Sequence, residues 1–250
     1  MCTLLIAHHF VAQIPVIVLA NRDEFLARPS LPPAVRDRTP PVFCGLDARE
    51  GGTWFGVNAR GLVVGLTNLT LRSPDPSLRS RGLLCLDMLA LARARDVGEA
   101  LAALDRDAYN PFNLVALDTD AAVRAIYDRV ASVETLPPGV YATTNWPVGS
   151  EGDAKRVSLE ARVRSGLSPR ATVDQVAALL KQEGRGHQGQ GDPRASICCH
   201  AQGYGTRAST VVLAGSGGRV RVEHADGPPC TTAYENVSGP VAAMMAFKGF

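Results

Sequence analysis

The chain has 250 residues, 46% of them hydrophobic and 20% charged, with a net charge of +2. That is enough material for a substantial core, and so small a charge excess gives no electrostatic reason to expect a nucleic acid or a membrane surface as partner. No apolar run approaches the ~20 residues of a spanning helix, and six cysteines without a basic, apolar leader read as reduced thiols of a cytoplasmic protein rather than a disulfide framework.

Residues 3–7 and 16–20 are apolar runs that predict a β-hairpin starting beside Cys2, with His8 and His9 in its connection. Residues 25–50, rich in Pro and Arg, predict a long surface loop. Thr53–Val57 and Leu62–Thr67 flank Asn58-Ala59-Arg60-Gly61 and predict a second hairpin. After a loop at Arg72–Ser80, Gly82–Leu104 carries helical spacing (Leu83, Leu86, Leu89, then Val97, Leu101, Leu104) with a break expected near Gly98. Strands follow at 113–117, 123–127 and 139–143. Helices are expected at Lys155–Val163 and Val173–Glu183, then a mobile Gly/Gln-rich loop over 184–191. Strands near 195–200, 208–214, 218–224 and 230–236 complete the chain. Gly215-Ser216-Gly217-Gly218 reads as a turn between two of them rather than a phosphate loop. Hairpins, then helices, then strands predict one α+β layered domain spanning residues 1–250.

The chemistry concentrates at the start. If Met1 is clipped, Cys2 carries a thiol and a free α-amine on one residue. The amine titrates near ~8 and the thiol near ~8.5, so a neutral amine can take the thiol proton. Asn21-Arg22-Asp23-Glu24 ends the second predicted strand, and antiparallel pairing brings that end back beside Cys2. A carboxylate there, Asp23, would hold or orient the amine. Cys198-Cys199-His200 invites a metal reading. Adjacent strand residues face opposite ways and no CxxC partner exists, so the expectation is one buried and one edge-facing thiol, with no metal. Cys44, Cys85 and Cys230 read as structural thiols, and His187 and His224 have no special context.

Asn21-Arg22-Asp23-Glu24-Phe25, with Arg28-Pro29 after it, resembles the signature of the NRDE, or transport and Golgi organisation protein 2, family. Gly51-Gly52-Thr53-Trp54-Phe55-Gly56-Val57, Asn110-Pro111-Phe112-Asn113-Leu114 and Tyr204-Gly205-Thr206-Arg207-Ala208-Ser209-Thr210 resemble its later blocks in order. That family is similar to N-terminal-nucleophile hydrolases of the bile-salt hydrolase and penicillin V acylase branch. The resemblance implies a four-layer αββα sandwich of two antiparallel sheets between helical layers, and amide-bond chemistry without a cofactor. It implies Cys2 as nucleophile and Asp23 beside the amine. Asn68 and Asn145 would be oxyanion donors, and Arg207 would lie beside the nucleophile and favour its thiolate. Arg22, Trp54 and Trp146 would line the substrate cleft, although each Trp could equally be core.

The expected function is a cysteine amidohydrolase or acyltransferase acting through a Cys2 thioester on a small-molecule, non-peptide amide, in a setting such as secondary metabolism. Self-association stays open. The alternative is a non-catalytic binding or trafficking protein that handles haem or lipid on the same fold.

Overall fold

Alternation along the first two strands decides the layering. In β1 (Thr3–Val11) and β2 (Ile14–Phe25), Leu4, Ile6, Val16, Val18 and Ala20 enter one core, while Leu5, Ala7, Ile17 and Leu19 enter another. A strand apolar on both faces must be covered on both. The computed structural model describes residues 2–105, 107–128, 132–147, 150, 153–187, 192, 195–215 and 218–246.

One antiparallel sheet runs β10 (Gly139–Thr143), β1, β2, β12 (Tyr204–Ala214), β13 (Val220–Ala225), β14 (Glu235–Asn236), with the short β11 (His200–Ala201) also on β12. The other runs β3 (Ser30–Arg36), β4 (Val42–Asp47), β5 (Phe55–Asn58), β6 (Val63–Asn68), β7 (Phe112–Leu117), β8 (Ala122–Tyr127), β9 (Ser132–Thr135). Helices α1 (Arg81–Leu89) and α2 (Ala94–Ala102) cover the outer face of the second sheet. Helices α3 (Ala154–Gly166) and α4 (Val173–Gly184) cover the outer face of the first. The sheets face each other across Leu4, Ile6 and Val18 on one side and Phe43, Phe55 and Val63 on the other. Three apolar interfaces therefore separate four layers, αββα. Helix α5 (Ser238–Ala246) inserts Val241 and Met244 into the middle interface. No helix among the described residues is long and apolar enough to cross a membrane.

Several expectations need correction. The Pro/Arg-rich stretch 25–50 holds strands β3 and β4. Pro32 and Pro33 fit because β3 is an edge strand whose register shifts between Leu31 and Ala34, so neither ring removes a needed ladder bond. The helical stretch expected over 82–104 is two helices, but the break falls at 90–93 rather than near Gly98. Gly98 lies inside α2, where a Cβ would come 3.2 Å from Val123 Cγ1, so it is a packing glycine. The strands β9 and α5's helix carried too few periodic residues to be read. His8 lies in β1, buried, with Nε2 3.2 Å from the Asp118 carbonyl. Residues 195–199 are not strand, and both Cys198 and Cys199 are fully buried. The expected loop at 188–191, the turn residues Ser216 and Gly217, and Met1 lie outside the described residues.

Phe112 is fully buried and stacks on Tyr127, with ring centroids 4.7 Å apart. Phe112→Ala should lower unfolding stability by about 3–5 kcal/mol in urea denaturation.

Candidate active site

Register brings the chemistry together. Thr3 pairs with Asn21 and Leu4 with Thr143, so Cys2 lies between the C-terminal ends of β2 and β10. Thr206 of β12 pairs with Asp23 across the other edge of β2. The Cys2 thiol lies 3.9 Å from the Asp23 carbonyl, a long, weak contact. Burial pushes the thiol pKa up, and the Asp23 carboxylate adds to that, while Arg22 favours the thiolate.

Asp23 has a fully shielded side chain. Its Oδ1 accepts from the Thr206 hydroxyl at 2.6 Å, and its Oδ2 faces the Lys155 ammonium at 3.8 Å. The Tyr204 hydroxyl donates to the Asp23 carbonyl at 2.9 Å. Burial raises the Asp23 pKa, and Lys155 and Thr206 pull it down. Lys155 reaches this point from the first turn of α3 with a side chain only 6% exposed. Sequence reasoning missed it, because a lone lysine starting a helix looks like any solvated one. Thr206 lay inside a family block but carried no assigned role.

The two asparagines come from opposite sheets. Thr67 Oγ1 donates to Thr144 O at 2.8 Å, and Asn113 Nδ2 donates to the same carbonyl at 2.9 Å. Asn145 Nδ2 then donates to Asn68 O at 2.5 Å, and Thr70 N donates to Asn145 O at 3.0 Å. This stitch fixes β6 against the end of β10. Asn113 was the readable clue, a buried amide inside the apolar run Phe112–Leu117.

Two cavities meet here. The larger, about 650 Å³, is walled by apolar groups including Phe25, Leu69, Pro74 and Pro111, and it reaches Cys2, Asp23, Asn68 and Asn145. The smaller, about 330 Å³, shares Cys2, Asn68 and Arg81 and is lined with charge, including Arg22, Arg28 and Asp47. Arg81 opens α1 and donates to Pro111 O at 2.8 Å, and burial pushes its pKa down to about 10. Its place depends on Gly52, where a Cβ would fall 2.3 Å from the Gly82 carbonyl carbon. Arg22 stacks over Trp54 at 4.1 Å, bonds Ser30 Oγ and pairs with Asp47 at 3.5 Å. Trp54 thus lines the smaller cavity while packing on the middle core. Trp146 is 39% exposed and lines neither cavity.

Arg207, expected beside the nucleophile, makes its hydrogen bonds to the turn after β2. It sits at a register shift between Thr206 and Ala208, and its Nη1 donates to the carbonyls of Phe25, Leu26 and Arg28. Its guanidinium fastens the turn after β2, and the arginine charge that favours the Cys2 thiolate comes from Arg22.

The profile of the Transport and Golgi organisation 2 family matches residues 1–225. The chain belongs to that family. The human transport and Golgi organization protein 2 homolog is 30% identical over 238 residues, 82% of this chain and 84% of the human protein. The bovine homolog is 32% identical over 236 residues, with the same two coverages. Among solved structures, a Caenorhabditis elegans N-acylethanolamine-hydrolyzing acid amidase ortholog superposes with a TM-score of 0.57 at 15% identity, over 85% of this chain and 92% of that one. A C2A mutant of the conjugated bile acid hydrolase from Clostridium perfringens gives 0.60 at 10% identity, over 95% and 93%. This family member therefore has the fold of N-terminal-nucleophile hydrolases.

The buried Asp23–Lys155 pair makes a pH-dependent prediction. The folded Asp23 pKa is raised, so its ionisation costs stability as pH climbs above the unfolded carboxyl range. Removing Lys155 raises that pKa further and enlarges the cost. Lys155→Met should destabilise the fold by about 3–5 kcal/mol near neutral pH, and by less near pH 5, in paired denaturant titrations against the parent chain.

Proposed function

We propose that this protein is a cysteine amidohydrolase or acyltransferase acting on a small-molecule linear amide. The observation that carries the reading is the position of Cys2 and Asn68 on a wall shared by an apolar and a charged cavity, with Asn145 lining the apolar one. Removal of Met1 frees the α-amine of Cys2. That amine takes the thiol proton, the sulfur attacks the amide carbonyl, and an oxyanion forms. Asn68, which is exposed and lines both cavities, and Asn145, which lines the larger, serve as its side-chain donors. The carbon–nitrogen bond then breaks, and the leaving amine takes the proton held by the α-ammonium. A thioester on Cys2 remains, to be released by water or by an acceptor amine. Asp23, backed by Thr206 and Lys155, orients the α-amine.

The apolar walls of the larger cavity suit the acyl portion of such a substrate, and the arginine-lined cavity suits a polar amine portion. The names of the two solved neighbours, an N-acylethanolamine-hydrolysing amidase and a conjugated bile acid hydrolase, support substrates of that kind. All six cysteines are free thiols, which suits the reducing cytoplasm expected for the chain.

A second reading has two observations behind it. The curated relatives are named for transport and Golgi organization, and a largely apolar cavity of about 650 Å³ is large enough to hold a lipid-like ligand without chemistry. The readings separate on Cys2. Intact mass should show Met1 lost. Incubation with N-acyl amides should leave an acyl adduct on Cys2, and Cys2→Ala should abolish turnover. Asn145→Ala should cut the rate ~100-fold or more. Retention of Met1, or ligand binding that Cys2→Ala leaves intact with no turnover in the parent, rejects the enzyme in favour of the binder.

A further inference from the structure

At the β11–β12 hairpin, four side chains from three chain segments converge. His187 follows α4, Cys198 and His200 bracket Cys199 at the start of β11, and Cys230 comes from the turn after β13. One ligand atom from each lies within 4.8 Å of all the others. Cys198 Sγ is 3.6 Å from both Cys230 Sγ and His200 Nε2, and His200 Nε2 is 3.1 Å from Cys230 Sγ. The rings of His187 and His200 lie 5.2 Å apart, centroid to centroid. Zinc takes thiolate at about 2.3 Å and imidazole at about 2.0–2.1 Å, so the ligand atoms of a tetrahedral site stand about 3.3–3.8 Å from one another. The separations among Cys198, His200 and Cys230, 3.1–3.6 Å, are close to that scale, and His187 stays within 4.8 Å of all three.

We propose that His187, Cys198, His200 and Cys230 form a structural zinc site. Two thiols and two imidazoles, with no carboxylate among them, select a borderline or soft cation over calcium or magnesium. Four protein ligands complete a tetrahedron and leave no open position, which marks a structural rather than a catalytic ion. On binding, the ion loses its waters, both thiols release their protons to solvent, and the net charge at the site is zero. Cys199 is not one of the four, and the set differs from the expectation of no metal at Cys198-Cys199-His200. The partner of Cys198 is His200, two residues on, and the rest of the set comes from segments far off in sequence.

The scaffold that positions these ligands is built from fixed bonds. Asn21 Nδ2 donates to both Gly184 O and Ile197 O, Cys198 N donates to Gly186 O, and Arg185 Nε donates to Pro229 O. Between the two ligands of the strap, Cys199 N donates to Thr206 Oγ1 at 2.8 Å, and that same hydroxyl donates to Asp23. Ala201 and Tyr204 of the hairpin line the larger cavity. The ion would therefore fasten the strap that supports Asp23 and one cavity wall.

The test is metal analysis of the tag-free, full-length protein purified without chelator under reducing conditions. One zinc per chain is expected in the parent and in Cys2→Ala, falling to background in Cys198→Ser and Cys230→Ser. Because those variants could fail to fold, a second arm uses the chelator-stripped parent chain. Titration with cobalt(II) should give thiolate-to-cobalt charge-transfer bands and tetrahedral d–d bands that saturate at one equivalent. Absence of both zinc and cobalt bands overturns the proposal. So does zinc retained by folded Cys198→Ser and Cys230→Ser, or a Cys198–Cys230 disulfide in the reduced-purified parent.

Discussion

Asp23, near the end of β2, carries a carboxylate shielded from water, and each of its oxygens meets a partner. Thr206 donates to one oxygen at 2.6 Å, and the Lys155 ammonium faces the other at 3.8 Å. A buried carboxylate without such partners would shift its pKa and neutralise. The three residues belong to β2, β12 and α3, so this one interaction requires the sheet pairing and the outer helix layer to be in place together. Thr206 also holds the strap at Cys199, which makes Asp23 the meeting point of nearly every segment around Cys2.

The second constraint is the stitch between the sheets. Thr144 O accepts from both Thr67 and Asn113, and Asn145 and Asn68 bond directly behind it. These are polar side chains at strand ends, where the ladder stops and backbone groups need other partners. The same bonds that satisfy the backbone hold two amide side chains on one cavity wall. The site is thus a by-product of how two β-sheets close at one end.

Local patterns carried the fold a long way. The alternation of residues 3–7 and 16–20, the Asn-Ala-Arg-Gly turn and the helical spacing at 173–183 each match an element. Thr172 and Gln175 even complete a capping box at the start of α4. Pattern failed where composition pointed the wrong way. Paired prolines hid β3, which tolerates them only as a bulged edge strand. Gly98 looked like a helix breaker and is instead the flat spot on α2 that lets it approach Val123.

What the sequence by itself determined were the residues drawn together by local register. Cys2, at the head of one strand, and Asn21 to Asp23, at the tail of the next, meet because a hairpin of those lengths has no other way to bury its apolar faces. The family blocks added the order of the remaining parts. Only the tertiary structure decided which distant side chains complete them. Lys155 faces Asp23, Arg207 fastens the turn after β2, Trp146 stays outside the cavities, and Cys230 and His187 come to Cys198 and His200. Those meetings depend on how layers stack and where loops return. Such contacts are fixed by the summed packing of whole sheets and helices, and no short stretch of chain encodes them.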